Sequence, residues 1–281
     1  MNVAFLGPEA SFTSLVSRQL FPTSNREGLR SIRDCFLALK EDRANLLVVP
    51  LENSIEGTVS KTLDYLYEFS GITIVLEAVM PIEHLLLRNP QSTAADKIIS
   101  HPQALAQCYH FLQDHYPTIP QIDYQSTAAA AKLCAEHPEE NILAIASRSA
   151  ASTYGLEILR KNIQDFEQNH TKFIVVSIDK SLPTQSEIGE FTAWKTSLII
   201  SLPNDHPGGL HQVLSVFAWR KMNLTKIESR TLKTGLGNYF FYVNVEGTWD
   251  ELQGGNAILE LESIGAKVKF LGCYKECLLK D

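Results

Sequence analysis

Acidic and hydroxyl side chains follow an apolar, strand-like run in the segment Val49–Thr58, VPLENSIEGT. Glu52 and Glu56 carry carboxyl groups that can act as a general acid, and Asn53 and Ser54 can donate hydrogen bonds to a bound anion. Acidic residues are also favourable in a solvated loop and in the first turn of a helix. Spacing alone therefore leaves a catalytic segment and a simple helix start both open.

A second polar group, Asn169–Phe173 (NHTKF), combines an amide, an imidazole, a hydroxyl and a cation directly before an apolar strand. Lys172 among these neutral groups is a candidate anchor for a substrate carboxylate, although most such lysines are merely solvated. His101 is a candidate base, but its position before Pro102 is more typical of a packed or helix-capping histidine.

Several predicted strand-to-helix junctions carry hydroxyl groups or proline. They are Ser11 and Thr13, Ser54 and Thr58, His101 and Pro102, Ser126 and Thr127, and Ser147 and Ser149. In an α/β sheet these junctions lie at the carboxyl ends of strands, where helix amides and hydroxyls can bind an anion. Each junction taken singly is also explained as an N-cap, so convergence on one cleft is what would indicate an anion site.

The elements that must position these groups alternate between short apolar strands and helix-period segments. Strands are predicted at Val3–Leu6, Leu46–Leu51, Ile72–Val79, Lys97–Ile99, Gln121–Tyr124, Ile142–Ala146 and Phe173–Ser177, with helices from about Ser11, Val59, Pro102, Ser126 and Ser149. This alternation predicts an α/β fold around a mostly parallel sheet.

A polar stretch that begins at Asp179 has neither period and contains a proline and a glycine, so we expect a linker at residues 179–194. The pattern then restarts as strand, helix, strand, strand, helix, strand. These segments are Thr196–Ser201, Gly209–Lys221, Leu224–Ser229, Tyr239–Glu246, Gly255–Leu261 and Ala266–Tyr274. That order predicts a ferredoxin-like βαββαβ domain.

Composition narrows the classes of function. The 281 residues suit two domains, and the net charge of −7 offers no general affinity for nucleic acid or an anionic membrane. The five cysteines are odd in number and scattered, which indicates reduced thiols and no structural metal or cofactor. The N-terminus is unlike a secretory signal and no window approaches the roughly 20 apolar residues of a membrane span, so we expect a cytoplasmic protein.

Taken together, these segments resemble the prephenate dehydratase family from Val3 to about Tyr274. The motifs that carry the resemblance are FLGPEASFT at 5–13, PLENSIEGT at 50–58 with Asp64 and Leu66, HPQALAQC at 101–108, STA at 126–128, and a late signature of Tyr154–Leu156, Ile163, Asp165 and Asn169–Phe173. The family removes water and carbon dioxide from prephenate and so makes phenylpyruvate for phenylalanine synthesis.

The resemblance implies a bilobal catalytic domain at 1–178, like a type 2 periplasmic binding protein, with the substrate between the lobes. One lobe is expected at about 1–76 with 161–178, and the other at 77–160. It further implies an ACT regulatory domain at 195–275. A helical chorismate mutase domain is not expected before Met1, so the substrate would be made by another enzyme.

Site residues are carried over from the family motifs. The implied catalytic residues are Thr171, Glu56, Ser54 and Asn53, and the implied substrate-binding residues are Thr13, Gln103, Ser126, Thr127, Asn169, Lys172 and Phe173. Thr171 is expected to hydrogen-bond or protonate the departing ring hydroxyl, with Glu56 as a candidate proton source. The family usually has an arginine at the position of Lys172, so the carboxylate grip expected here is a single point charge instead of a bidentate fork.

The second domain resembles the ACT domain that binds L-phenylalanine at a subunit interface in this family. The implied effector-binding residues are Pro207, Gly208, Gly209, Leu210, Glu228, Ser229 and Arg230. The chain departs from the family with Gly209 for alanine and Thr231 for proline, which leaves the affinity open. The resemblance implies a homodimer or homotetramer.

Two other functions stay open at this level. Arogenate dehydratase performs the same chemistry on the transaminated substrate, and a non-catalytic amino-acid sensor could use both folds without turnover. Direct competition between prephenate and arogenate would distinguish an arogenate dehydratase from a prephenate dehydratase. Ligand binding without turnover would support a sensor.

Overall fold

The computed structural model describes residues 1–179, 190–202, 207–232 and 239–280. Its strands are β1 (Asn2–Leu6), β2 (Asn25–Leu29), β3 (Leu46–Asn53), β4 (Gly57–Thr58), β5 (Thr73–Pro81), β6 (Leu85–Arg88), β7 (Lys97–Ser100), β8 (Gln121–Asp123), β9 (Ile142–Ala146), β10 (Glu157–Arg160), β11 (His170–Ser177), β12 (Glu190–Ser201), β13 (Leu224–Thr231), β14 (Tyr239–Glu246) and β15 (Lys267–Leu278). Its helices are α1 (Phe12–Leu20), α2 (Ile32–Lys40), α3 (Ser60–Glu68), α4 (Pro102–Gln107), α5 (Tyr109–His115), α6 (Thr127–Glu136), α7 (Arg148–Tyr154), α8 (Gly209–Trp219) and α9 (Glu251–Ser263).

Residues 1–177 form two lobes on two sheets. The first lobe contributes the order β5-β11-β3-β1-β2 to a large sheet, and the second lobe has its own sheet in the order β10-β6-β9-β7-β8. Strands β1, β2 and β3 pair in parallel, as do β7, β8 and β9. The expected α/β class is therefore confirmed, and the carboxyl ends of the parallel strands in each lobe supply junctions identified in the sequence. The expectation of a mostly parallel sheet is wrong, because β11 pairs antiparallel with β3 and β5, and β6 pairs antiparallel with β9 and β10.

The boundary between the lobes lies further along the chain than expected. Strand β5 continues through Pro81 because Glu77 to Pro81 stay paired with β11, so the crossing follows Pro81 and not Leu76. The buried run of β5 gave no sequence signal for a break at Leu76, since all residues from Ile74 to Met80 are buried on both faces.

Side-chain caps begin the helices that face the space between the lobes. Ser11 accepts a hydrogen bond from the amide of Ser14 at the start of α1, and Ser126 accepts one from Ala129 at the start of α6. His101 Nδ1 accepts the amide of Gln103 at the start of α4. Each cap satisfies one exposed helix amide, and in α1 and α6 the first two helical amides stay unpaired within the helix.

The second domain has the expected order of strands and helices, and its sheet is continuous with that of the first lobe. Its order β13-β14-β12-β15 extends directly into β5, because residues 275–278 of β15 pair in parallel with 76–79 of β5. The seam contains Lys195, which lies between the fully buried Glu77 (Oε1 at 2.6 Å) and Glu276. The two domains therefore share backbone pairing as well as side-chain contacts.

The expected linker ends earlier than predicted. Residues 180–189 lie outside the described residues, but β12 begins at Glu190, so residues 190–194 of the expected linker are strand. Lys275 of β15 lies over the rings of Phe191 and Trp194, at 4.8 and 5.3 Å from their centroids. The cation–π contacts and strand pairing order a segment whose polar composition suggested a loop.

In the part of the chain that the structure describes, no helix combines the length and the apolar character that crossing a bilayer requires. All five cysteines are free thiols, and four of them are buried. Burial raises the pKa of the Cys35 thiol to about 12. These thiols therefore pack as small apolar side chains.

Candidate active site

A cleft of about 1110 Å³ lies between the two lobes. The first lobe lines it with the opening motif, the end of β2, the segment after β3 and the start of β11. The second lobe lines it with the starts of α4 and α6. Sequence-predicted residues that line the cleft are Thr13, Asn53, Glu56, Gln103, Ser126, Thr127, Asn169, Thr171 and Phe173. Four of the five junctions that the sequence identified singly are thus brought together, whereas Ser147 and Ser149 do not line the cleft.

Thr171 is held by Asn53 on the neighbouring strand. The two residues are paired across β11 and β3, and Asn53 Nδ2 donates to Thr171 Oγ1 at 2.8 Å. The orientation of the Asn53 amide is fixed, because its Oδ1 accepts the backbone amides of Ile55 and Glu56 at 3.0 and 3.1 Å. Thr171 Oγ1 is therefore an acceptor toward Asn53, which leaves its own O–H free to donate to a ligand.

The order of donors and acceptors that Asn53 fixes continues through Asn169, Gln107 and His84. Asn53 Nδ2 also donates to Asn169 Oδ1 at 2.8 Å, so Asn169 presents Nδ2 to Gln107 Oε1 at 3.0 Å. Gln107 Oε1 lies 3.0 Å from His84 Nε2, which must then carry the proton. Burial lowers the pKa of His84, partly offset by the hydrogen bond to Gln107, so the imidazole is neutral at neutral pH.

This chain of amides crosses from one lobe to the other. It begins at backbone amides after β3 and ends at His84 between β5 and β6, and each of its hydrogen bonds joins a donor to an acceptor. Gln107 Nε2 and His84 Nδ1 are buried without a partner among the described residues. In a site shielded from water, such a network fixes side-chain orientations before a ligand arrives. The arrangement can therefore present one oriented hydroxyl donor, Thr171, to a bound molecule.

Lys172 does not line the cleft. Alternation along β11 turns it away from the side of Thr171, and its Nζ lies 3.0 Å from Glu52 Oε2. Glu52 Oε1 also receives Lys226 Nζ of β13 at 2.6 Å. Burial alone would raise the pKa of Glu52, but the hydrogen bonds from Lys226 and Lys172 outweigh it and the pKa is lowered. The expected carboxylate anchor is instead part of the contact between the catalytic and ACT domains.

Replacing Lys172 with methionine is therefore expected to change KM for the substrate less than threefold. The free energy of unfolding should fall by about 1 kcal/mol, because a half-exposed ion pair is lost while Lys226 still balances Glu52. Steady-state kinetics and urea unfolding of the two proteins measure both effects. A rise in KM of tenfold or more at unchanged stability would return Lys172 to the substrate site.

Ser54 also lies outside the cleft lining. Its Oγ accepts the amide of His170 at 3.0 Å and donates to the carbonyl of Gln168 at 3.1 Å. It therefore fastens the segment before β11 to the end of β3 and supports Thr171 indirectly. Glu56 lines the cleft, and its backbone amide is bound to the same Asn53 that orients Thr171.

Arg30, His84 and Gln107 also line the cleft but were not among the predicted site residues. Gln107 lies in the HPQALAQC motif, so its signal was present. Arg30 follows β2, a polar edge strand (NREGL) without periodicity, and His84 precedes the short strand β6. Neither strand was predicted, so nothing marked the two residues as lying at strand ends.

The two effector motifs lie at one end of the ACT sheet. Phe240 of β14 pairs on one side with Ser201 of β12, the strand that precedes the glycine turn (Pro207–Leu210). On the other side Phe240 pairs with Arg230 of β13. Gly208 in the glycine turn has φ 85, a left-handed conformation that favours glycine, and begins α8. Glu228 and Arg230 face the catalytic domain, where Glu228 accepts from Thr58 Oγ1 at 3.2 Å and Arg230 lies 3.0 Å from Asp64. Ser229 alternates to the exposed side.

Helix α3 is held by the ACT domain along its length. Arg230 pairs with Asp64 in its middle, and the ring of Tyr67 stacks on Phe240 with centroids 4.8 Å apart. Lys269 of β15 donates to the carbonyls of Leu66 at 2.7 Å, Tyr67 and Phe69, which caps the C-terminal end. A cation at this end is favoured by the helix dipole. Thr58, just before α3, lines the cleft, so one helix joins both sites.

A surface group of metal-ligand type lies away from the cleft. His137, Glu139 and Glu140 place their ligand atoms within 4.8 Å of one another, and they form the one such group in the described ranges. Glu140 is also paired with Lys97 at 2.5 Å. These residues form a surface cluster of hydrogen bonds and an ion pair.

Comparison with known proteins gives the following matches. The family model described as prephenate dehydratase matches residues 3–181, and the ACT domain model matches 196–258. The prephenate dehydratase of Bacillus subtilis is 43% identical over 98% of this chain and 99% of its own length. The prephenate dehydratase of Arthrobacter aurescens, solved in complex with L-Phe, is 31% identical with a TM-score of 0.85, covering 98% of this chain and 89% of that one. GqqA, described as a quorum-quenching acylase, is 29% identical with a TM-score of 0.82 and 98% coverage of both chains.

Proposed function

The chain belongs to the prephenate dehydratase family, and we propose that its inter-lobe cleft converts prephenate to phenylpyruvate, water and carbon dioxide. The reaction is that of a carbon–oxygen lyase and supplies phenylalanine synthesis. The observation that carries the assignment to this cleft is the oriented hydroxyl of Thr171. Because the same fold also occurs in a protein described as an acylase, the site and not the fold must carry the reaction.

The chemistry requires two bonds to break on opposite ends of the ring. The carboxylate on C1 leaves as carbon dioxide, its bonding electrons enter the ring, and the C4–O bond breaks as the ring becomes aromatic. The departing hydroxide must gain a proton, and donation to its oxygen lowers the barrier most. Thr171 donates that hydrogen bond, because Asn53 occupies its acceptor side. Glu56, in the same cleft, is the proposed source of the proton.

Helix N-termini from both lobes suit a substrate with two carboxylates. The start of α1 carries Thr13 in one lobe, and the start of α6 carries Ser126 and Thr127 in the other. Their unpaired amides and hydroxyls are neutral donors that favour an anion. Neutral donors suit the departing carboxylate, because a strong cation there would stabilise the ground state and oppose decarboxylation. Gln103 and Asn169 add neutral contacts across the cleft.

L-phenylalanine is the proposed effector, bound where the glycine turn and the Glu228–Arg230 motif meet. The complex of the Arthrobacter relative with L-Phe supports this ligand. Gly208, Gly209 and Leu210 would present backbone amides to its carboxylate at the turn that Pro207 begins, with Ser229 on the exposed side of the adjacent motif. Glu228 and Arg230 have a second task, because both contact the catalytic domain.

Helix α3 is the proposed connection between effector and cleft. A change at the end of the ACT sheet acts on Asp64 through Arg230 and on Tyr67 through Phe240, and Thr58 follows at the start of the helix. Allostery requires that the effector favour one of two arrangements of such an element. The capped, ion-paired position of α3 is one of them.

Lys269 offers a test of this connection at a distance from both sites. Lys269→Met should leave kcat and KM within about twofold and keep L-Phe binding. It should weaken inhibition by L-Phe at least fivefold, because coupling energies of 1–3 kcal/mol correspond to about 5- to 150-fold. Activity titrated with L-Phe, beside calorimetric L-Phe binding, measures both. Lys267→Met, two residues along the same strand with an exposed side chain, is the matched control. Equal inhibition in all three proteins would contradict the role of α3.

A homodimer or homotetramer is proposed, with ACT domains paired across subunits. Large apolar side chains on the ACT helices support it: Trp219, Leu252 and Leu259 are 73%, 74% and 64% exposed. A cytoplasmic location is also proposed, supported by buried free thiols and the biosynthetic role of the relatives.

The test of the proposed function is turnover of prephenate by purified protein, followed as phenylpyruvate absorbance in alkali, with and without L-phenylalanine. Product formation that L-phenylalanine inhibits supports both domain assignments. Turnover of arogenate in place of prephenate would indicate the transaminated substrate. L-phenylalanine binding without turnover of either would indicate a sensor.

A further inference from the structure

The cleft contains a full cation that the motifs did not indicate. Arg30 is the only lysine or arginine among the described residues that line the cleft, whereas two acidic side chains, Glu9 and Glu56, line it. Without Arg30 the charged side chains of the lining would all be acidic, and the whole chain already carries −7. A dianionic substrate would then be repelled, so this site needs the guanidinium.

The position of Arg30 is set by close backbone packing at the edge of the first lobe. It follows β2, which pairs in parallel with β1, and the amide of Gly7 donates to the carbonyl of Leu29 at 2.8 Å. A Cβ on Gly7 would lie 3.1 Å from that same carbonyl, and one on Gly28 would lie 3.0 Å from the ring of Phe5. Glycine at both positions keeps Arg30 beside the Gly7–Thr13 segment and the N-terminus of α1.

The Arg30 side chain is exposed, and the described part of the chain provides it with no hydrogen bond or ion pair. Other cations near the site are engaged: Lys172 and Lys226 bind Glu52, and Arg18 binds Ser149 Oγ. A free guanidinium next to a helix N-terminus can take a carboxylate in a bidentate grip. Arg30 would thus take the place of Lys172, which was expected to anchor a carboxylate through a single point charge.

We infer that Arg30 binds the side-chain carboxylate of prephenate, the one that remains in the product, and thereby selects the dianionic substrate. The inference rests on the proposed function. The ring carboxylate is the wrong partner, because it must leave without its charge and a guanidinium would hold it in the ground state. Arogenate carries an ammonium beside the same carboxylate, so its net charge is one unit less negative and it gains less from Arg30.

Phenylpyruvate separates the two carboxylates experimentally, because it keeps only the side-chain one. Arg30→Met should raise KM for prephenate about 10- to 30-fold and raise the inhibition constant of phenylpyruvate by the same factor, with kcat within about threefold. For Arg30→Lys, both constants should lie between those of the unmodified protein and those of Arg30→Met. Arg33→Met changes an exposed arginine, the second residue of α2, that is absent from the cleft lining. It removes the same charge and should change neither constant by more than about twofold.

The proposed function and the role of Arg30 are tested by different measurements. Turnover of prephenate by the unmodified protein tests the proposed function separately from this inference. An unchanged KM in Arg30→Met, or a raised KM with unchanged inhibition by phenylpyruvate, would overturn the assignment. An equal effect of Arg33→Met would overturn it too, because the rise in KM would then come from the change in the net charge of the protein and not from a contact with Arg30. The preference for prephenate over arogenate in kcat/KM should fall in Arg30→Met, and an unchanged preference would refute the selection of the dianion.

Discussion

Replacement of Thr171 by alanine is expected to lower kcat for prephenate about a thousandfold while the protein stays folded. Thr171 donates to the departing hydroxyl only as the bond breaks, so its loss acts on the transition state and should leave KM nearly unchanged. The fold should tolerate the change, because Asn53 Nδ2 still has Asn169 Oδ1 at 2.8 Å and the carbonyl of His170 at 3.3 Å.

Two further substitutions make the Thr171 test specific. Thr171→Ser keeps the hydroxyl and should retain activity within about tenfold, whereas Thr171→Val keeps the shape and should be as inactive as alanine. Thr192→Ala removes a hydroxyl on β12 that bonds Glu276 at 2.9 Å and serves as the control. Rates of phenylpyruvate formation and thermal unfolding measure the set. Near-normal turnover of folded Thr171→Ala would remove Thr171 from the mechanism.

Replacement of Asn53 by aspartate is expected to lower kcat at least a hundredfold, although only one NH₂ group becomes an oxygen. One carboxylate oxygen still accepts the amides of Ile55 and Glu56, but the other now faces Thr171 Oγ1. Thr171 would then donate its proton to the carboxylate and no longer to the substrate. The same oxygen would also face Asn169 Oδ1, which should cost about 1–3 kcal/mol of stability.

A double-mutant cycle distinguishes this account from a general loss of charge balance. If Asn53 acts by orienting Thr171, the double variant Asn53→Asp with Thr171→Ala should be no slower than the slower single variant. Asn45→Asp, just before β3, adds the same charge outside the cleft lining and should keep nearly full activity. Multiplicative losses in the double variant would indicate that the two residues act independently.

Helix starts were the part of the site most accessible from sequence. Ser11, His101 and Ser126 cap helices as their residue types predict, and the caps lie at the carboxyl ends of strands facing the cleft. Local hydrogen bonding decides such positions, so short-range sequence is sufficient. The roles of Thr171 and Asn53 came from the family motifs. Their geometry depends on pairing between strands more than a hundred residues apart.

The two-residue period of a strand could have excluded Lys172 from the cleft lining. If Thr171 faces the cleft, its neighbour on the strand must face the other way. The partner of Lys172 on that side, the partly buried Glu52, could not be read from the period. Arg30 was missed for a different reason. An edge strand with one solvated face has neither an apolar run nor clear alternation, so β2 and the residue after it gave no signal.

The joining of the two domains could not be read from sequence. The pairing of β15 with β5 links residues about 200 positions apart, and parallel pairing leaves no turn signal. β5 and β15 belong to different domains. The sequence pattern of each domain predicts its own strands and helices and gives no sign that these two strands pair.

The position of β15 also has a consequence for biosynthesis. It lies between β12 and β5, yet residues 267–278 leave the ribosome after every other described strand. Until then β5 and β12 each present an open edge, and both are rich in apolar residues. Open edges of this kind pair with other chains and aggregate. We therefore expect the nascent chain to be most prone to aggregation late in synthesis, when most strands of both domains are made but the strand that joins the domains has not yet emerged.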